Sequence, residues 1–175
     1  MYFSIPYFVF KFKNHIAIKD TLLDIITADS NGPNRDSKDK ISKTDWYDSH
    51  NYTKKEYFKL LLENNFAQDI NDNLKFTGIG DWQIINLWYQ VYKTNDTHDW
   101  HDHAESHWSF VYYLKLPKDS KGTICRDMNT QEKIDPQQQE GDIFLFPSMI
   151  KHCSPPNLDS EEKIIISGNI NPNNP

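Results

Sequence analysis

The chain has 175 residues, 37% of them hydrophobic and 14% aromatic, with a net charge of −6. That length can bury a hydrophobic core, and this apolar content excludes a compositionally disordered chain. The acidic balance, with no basic stripe, argues against nucleic-acid binding by electrostatics alone and leaves open a local nucleotide pocket.

The opening MYFSIPYFVFKFK is apolar, yet Lys11 and Lys13 follow the apolar run and no small-residue cleavage site accompanies it. It reads as a β-strand rather than a signal peptide. No run approaches the ~20 apolar residues of a membrane span, so a soluble, cytoplasmic protein is expected. Leu22, Leu23, Ile25 and Ile26 predict a short helix over Lys19–Ala28. Asp29–Lys43 is polar, contains Gly32 and Pro33, and reads as exposed loop. A second helix is predicted from Thr53, with Thr53 and Glu56 as a capping box and Tyr57, Leu60 and Leu61 as the buried stripe. Both helices are expected to pack outside a β core.

From Trp82 the period changes to two. Strict alternation through WQIINLWYQVY puts Trp82, Ile84, Asn86, Trp88, Gln90 and Tyr92 on one face, and Ile85, Leu87, Tyr89 and Val91 on the other. Further strands are predicted at Ser109–Leu116, Gly122–Met128, Asp142–Phe146 and Lys163–Asn169, with Gly and Pro at the turns between them. Short strands punctuated this way indicate a mainly β sandwich or jelly roll with flanking helices. Cys125 and Cys153 have neither metal-type nor redox-type spacing and read as reduced thiols.

Four of the seven histidines, His98, His101, His103 and His107, fall within ten residues, and His152 follows the strand that ends at Pro147. In an extended segment His101 and His103 project from the same face, so one metal ion can take both rings. His152 is the candidate third ligand. Imidazole suits Fe, Zn, Cu or Ni, so donor type alone does not choose the metal. His98 and His107 read as neighbours of the site rather than ligands. Two histidines and a carboxylate would make a facial triad. Glu105 shares the His101/His103 face and Asp102 alternates away from it, so the residues leave open three imidazoles or a His-x-Glu set.

The stretches DTHDWHDHAESHWSFVYYLKLP, EGDIFLFPSMIKHCSPPN and KIIISGN resemble the 2-oxoglutarate/iron(II) oxygenases of phages and marine bacteria. That family shows His-x-His, then a Ser-containing strand ending in aromatics and Leu. A Gly-initiated segment with Phe-Pro-Ser follows and leads to a distal His, and a basic residue precedes a final Ser and Asn. His101, His103, Ser109, Tyr112, Tyr113, Gly141, Phe146, Pro147, Ser148, His152, Ser167 and Asn169 fall in that order, over about the C-terminal half.

The resemblance implies a single oxygenase-like domain over 1–175, with the N-terminal strand and helices (1–80) packed on a double-stranded β-helix (81–170). It implies iron(II) held at one open end by His101, His103 and His152, with O₂ and 2-oxoglutarate as co-substrates. A basic residue about ten positions after the distal His binds the far carboxylate of 2-oxoglutarate in such proteins. Arg is usual there; this chain offers Lys163, a point charge rather than a bidentate fork. Ser167, on the same strand face, and Tyr113 or Asn86 from neighbouring strands are further candidates for that carboxylate. The implied reaction couples decarboxylation of 2-oxoglutarate to succinate with hydroxylation of an unidentified peptidyl, amino-acid or other small substrate. Trp88, Trp100 and Trp108 are candidates to line its mouth. Two rivals share the pattern: a cupin-type metal-dependent isomerase or dioxygenase that does not use 2-oxoglutarate, and a non-enzymatic jelly-roll binding module.

Overall fold

The computed structural model of the chain describes residues 6–34, 38–78 and 80–173. Apolar spacing folds the first part into a strand and helices. Strand β1 (Phe8–Lys11) leads into α1 (His15–Ala28), which buries His15, Ile18, Leu22 and Ile26 as one stripe at three- and four-residue spacing. The helix starts before the predicted Lys19 because the His15 ring is itself anchored, 2.7 Å from the Tyr112 hydroxyl.

The predicted capping box does not form. Thr53 belongs to a 3₁₀ segment, Trp46–Lys54, and α2 (Glu56–Glu63) begins after Lys55 with no side-chain cap bond. The cause is the Lys55 side chain, whose ammonium turns inward to Asp45 Oδ2 at 2.6 Å and the Leu87 carbonyl at 3.0 Å. Asn65, at φ 66°, turns the chain into α3 (Phe66–Leu74), which buries Phe66, Ile70 and Leu74. No helix among the described residues is long and apolar enough to cross a membrane.

The remaining strands are β2 (Lys43–Thr44), β3 (Trp82–Tyr92), β4 (His98–His101), β5 (Trp108–Lys115), β6 (Ile124–Arg126), β7 (Lys133–Ile134), β8 (Asp142–Pro147), β9 (His152–Ser154) and β10 (Lys163–Pro172). They form a six-stranded antiparallel sheet in the order β1-β8-β5-β10-β3-β2 and a four-stranded sheet in the order β4-β9-β6-β7. The architecture is a double-stranded β-helix.

Strand alternation divides the core between the two faces of the large sheet. Trp108, Phe110, Tyr112 and Leu114 of β5, with Ile143 and Leu145 of β8, join Leu22, Leu61 and Phe66 from the helices. Val111, Tyr113, Phe144, Phe146 and Ile165 face the small sheet instead, with Cys125. Each large apolar side chain buried this way contributes roughly 1.5–3 kcal/mol.

One bulge corrects the predicted alternation in β3. Asn169 pairs with Asn86 but Ile170 pairs with Ile84, so Ile85 is the extra residue. The bulge swings Trp82 and Ile84 onto the helix side with Leu87, Tyr89 and Val91. Asn86, Trp88, Gln90 and Tyr92 keep the inner face. Two glycines are required by geometry. Gly141 has φ +83° and a Cβ there would lie 2.9 Å from the His15 ring; a Cβ on Gly168 would lie 2.6 Å from Phe110.

Candidate metal centre

Register brings the three sequence-distant histidines together. In the β4–β9 ladder His101 lies directly opposite His152, so the two side chains share a face, and their ring centroids are 4.2 Å apart. His103, two residues on, returns to the same side. Its centroid is 5.1 Å from that of His101 and 5.2 Å from that of His152. One nitrogen from each ring lies within 4.8 Å of the other two, and no carboxylate joins this group among the described residues. Asp102 and Glu105 are exposed.

Hydrogen bonds fix which nitrogen faces inward. His101 Nδ1 lies 2.7 Å from the Asp99 carbonyl and His152 Nδ1 lies 2.9 Å from the Ile150 carbonyl. A carbonyl only accepts, so each Nδ1 donates and each Nε2 keeps its lone pair. Burial keeps the rings neutral: it lowers His101, takes His103 down to about 4, and, helped by the neighbouring imidazoles, holds His152 well below its usual value. Three convergent, neutral imidazole lone pairs fit a divalent transition metal.

His98 is a fourth imidazole beside the three. The β4–β9 ladder slips by one residue between His98 and His101, so these residues share a face despite being three apart, and their rings stack at 3.8 Å. His98 Nε2 lies 3.4 Å from Asp39 Oδ2. His107 sits outside the cluster, bonded to Asn171.

The motif serines form a strut behind His103. Ser109 Oγ donates to Asn169 Oδ1 at 2.7 Å and lies 2.8 Å from Ser148 Oγ, which accepts from Ser106 Oγ at 2.8 Å. The His103 N–H donates to the Ser148 carbonyl at 2.9 Å. Ser109, Ser148 and Asn169 therefore tie β5, β10 and the turn after β8 to the loop that carries His103.

The buried ammonium is Lys163. It is 1% exposed, donates to Ser154 Oγ at 2.6 Å and to the Lys121 carbonyl at 3.2 Å, and lies 4.6 Å from the centre of the Tyr92 ring. Among the described residues no carboxylate pairs with it, and burial takes it down to about 8. Ser154 is two residues beyond His152 on the same face of β9, roughly 7 Å along the strand. Tyr92, Ser154 and Ser167 line a cavity with the three histidines.

The other predicted co-substrate residues differ from one another. Tyr113 OH is already engaged, donating to Thr123 Oγ1 and accepting from the Thr123 N–H. Asn86 is buried with its Oδ1 unpartnered. Of the tryptophans, Trp88 borders His103 at 5.7 Å. Trp108 packs in the helix-side core, and Trp100 lies under Arg126 at 4.4 Å. Sequence reasoning missed Trp46, 6.4 Å from His103, and Ser154, whose place two residues after His152 is the one signal alternation offered.

A family model described as "Putative 2OG-Fe(II) oxygenase" matches residues 86–135, the segment that carries His101, His103 and Ser109. The matched segment is similar to that of 2-oxoglutarate/iron(II) oxygenases. Solved structures share the fold of this chain at low identity. A Pseudomonas putida prolyl-4-hydroxylase is 14% identical with a TM-score of 0.67, over 96% of this chain and 94% of that one. The viral collagen prolyl hydroxylase of Paramecium Bursaria Chlorella virus-1, in its 2-oxoglutarate complex, is 16% identical with a TM-score of 0.60, over 94% of each chain. The α-ketoglutarate-dependent epimerase SnoN of nogalamycin biosynthesis is 8% identical with a TM-score of 0.73, over 95% of this chain and 77% of that one. No curated protein matches the sequence.

Proposed function

We propose that His101, His103 and His152 hold the iron and that Lys163 anchors the far carboxylate of 2-oxoglutarate, in a hydroxylase acting on a peptidyl, amino-acid or other small substrate. The observation that carries this reading is a buried ammonium with no carboxylate partner among the described residues, bonded to Ser154 two residues beyond His152 of the three convergent imidazoles. A buried cation without a counter-ion costs the fold free energy unless an anion completes it. A five-carbon dicarboxylate supplies that anion at one end and metal-binding oxygens at the other.

When bound, iron(II) supplies the activation of O₂ that couples decarboxylation of 2-oxoglutarate to hydroxylation. The chain's own residues do the rest. The carbonyls of Asp99 and Ile150 hold protons at Nδ1 of His101 and His152, keeping both Nε2 atoms free to bind. Lys163 keeps a proton at Nζ for the carboxylate, and Ser167 offers a hydroxyl from the same strand face. Val111, Phe146 and Ile165 border the cavity and exclude water from it. A cupin-type enzyme has no need of a buried ammonium here, which favours the oxygenase reading over that rival.

The test is succinate formation. Protein loaded with Fe(II) is expected to convert 2-oxoglutarate to succinate slowly without a primary substrate, and His152→Ala is expected to abolish both metal binding and turnover. Metal binding without any affinity for 2-oxoglutarate would overturn the proposal.

A further inference from the structure

Outside the three histidines lies a second, larger cavity of about 390 Å³, bordered by His101 and His103. Its charged side chains are carboxylates, Asp39 and Asp102, and among the described residues no lysine or arginine lines it. Asp39 is largely buried, and its side-chain contacts are the Asn34 amide at 3.3 Å, the Asp99 N–H at 3.0 Å and the His98 ring at 3.4 Å. The opposite wall is aromatic: Trp46 and Trp88 meet edge-on at 4.4 Å, with Tyr47 exposed at the rim. The indole N–H of Trp88 is buried and has no partner. Trp46 is held in place from behind, because the buried Lys55–Asp45 pair pins the start of its segment to β3.

We infer that the primary substrate is cationic: an ammonium or guanidinium group on an aliphatic chain, received by Asp39 and Asp102 beside the Trp46–Trp88 pair. This deepens the function proposed above and rests on it. The same wall that would hold the cation ends at His103, so the aliphatic carbons beside the charge lie toward the metal centre.

Three physical arguments favour this class. A phosphate or carboxylate beside Asp39 and Asp102 would face two carboxylates with no lysine or arginine among the described lining residues, and like charges at close range cost several kcal/mol. A neutral apolar substrate would strip water from Asp39 and leave a buried charge unpaired. A cation meets both the carboxylates and the negative faces of the indole rings. The unpartnered Trp88 N–H leaves a donor for a substrate carbonyl or carboxylate oxygen. The side chains of lysine and arginine, free or within a peptide, carry this combination of cation, aliphatic chain and nearby carbonyl.

The experiment uses the full chain loaded with Fe(II) and 2-oxoglutarate without oxygen, followed by tryptophan fluorescence, then succinate release in air. The probes are L-arginine, L-lysine, a blocked Ala-Lys-Ala peptide, and the neutral counterparts L-citrulline and L-norleucine. At least one cationic probe is expected to shift the fluorescence and raise succinate release ~10-fold or more, with its neutral counterpart inactive; a response confined to the free amino acids or to the peptide assigns the source. Asp39→Asn is expected to weaken that binding ~10-fold while leaving 2-oxoglutarate binding unchanged. Asp102→Asn, at an exposed position, gives the same direction of effect should the Asp39 variant fail to fold. Equal binding of norleucine and lysine, or silence from every cation in protein that still binds 2-oxoglutarate, overturns this inference alone. Absence of 2-oxoglutarate binding overturns the reading beneath it.

Discussion

Replacing Lys163 by methionine separates what the ammonium does for binding from what it does for the fold. The side chain is 1% exposed, and burial moves it from 10.5 down to about 8. The difference corresponds to about 3 kcal/mol held against the charged form in the folded protein. The unfolded chain binds the proton more tightly between pH 8 and 10.5, so stability rises with pH across that window, and the cost is complete below pH 8. Methionine keeps the volume and removes the charge. Lys163→Met is therefore expected to leave unfolding free energy unchanged or to raise it, offsetting the lost bond to Ser154 Oγ. The same change should weaken 2-oxoglutarate binding by about a hundredfold, since truncating one partner of a buried charge pair costs about 2–5 kcal/mol. Anaerobic titration calorimetry on the Fe(II)-loaded protein and urea unfolding read the two effects. In the wild type, 2-oxoglutarate affinity should also fall by about tenfold per pH unit above pH 8, and in the variant it should not. Unaltered affinity in Lys163→Met, or a large loss of stability without a loss of binding, would mean that the ammonium serves the fold and not 2-oxoglutarate.

Burial keeps His152 neutral in the fold, whereas the unfolded chain protonates it near pH 6.5. Metal-free protein should accordingly lose about 1.4 kcal/mol per pH unit from this residue as pH falls below 6.5; a flat urea midpoint between pH 7 and 5 would contradict this. Ser148→Ala removes the hydroxyl that bridges Ser106 and Ser109. It is expected to cost about 1–2 kcal/mol and to weaken metal binding ~10-fold through His103, checked by unfolding and by Fe(II) titration. Asp45→Ala leaves the Lys55 ammonium, the Tyr57 hydroxyl and the Tyr89 N–H without their acceptor. A loss of about 3–5 kcal/mol is expected in urea unfolding, and a loss below about 1 kcal/mol would mean the pair is not buried as described.

The cluster of three imidazoles was legible because its grammar is local. His-x-His obeys the two-residue period of extended chain, and Phe-Pro-Ser followed by His152 marks the second strand-turn unit. What stayed hidden depended on register and on distant pairing. No alternation rule foretells that Ile85 bulges out of β3, or that a slip in β4 stacks His98 on His101. Helix α3 was missed because FAQDINDNL buries its apolar residues at Phe66, Ile70 and Leu74 within an otherwise polar string. Thr53 and Glu56 had the residue types of a capping box, but the buried pull of Asp45 on Lys55 decided where the helix began. Trp46 and Asp39 border the site from segments more than fifty residues from either His101 or His103, and nothing in their local sequence announces it.

In the function proposed here His101, His103 and His152, and no carboxylate, hold one iron. Anomalous scattering at the iron edge from crystals grown with Fe(II) under anaerobic conditions tests it directly. One peak is expected within about 2.2 Å of Nε2 of His101 and His152 and of one ring nitrogen of His103. A peak elsewhere, or one coordinated by Asp102 or Glu105 in place of a histidine, would contradict it.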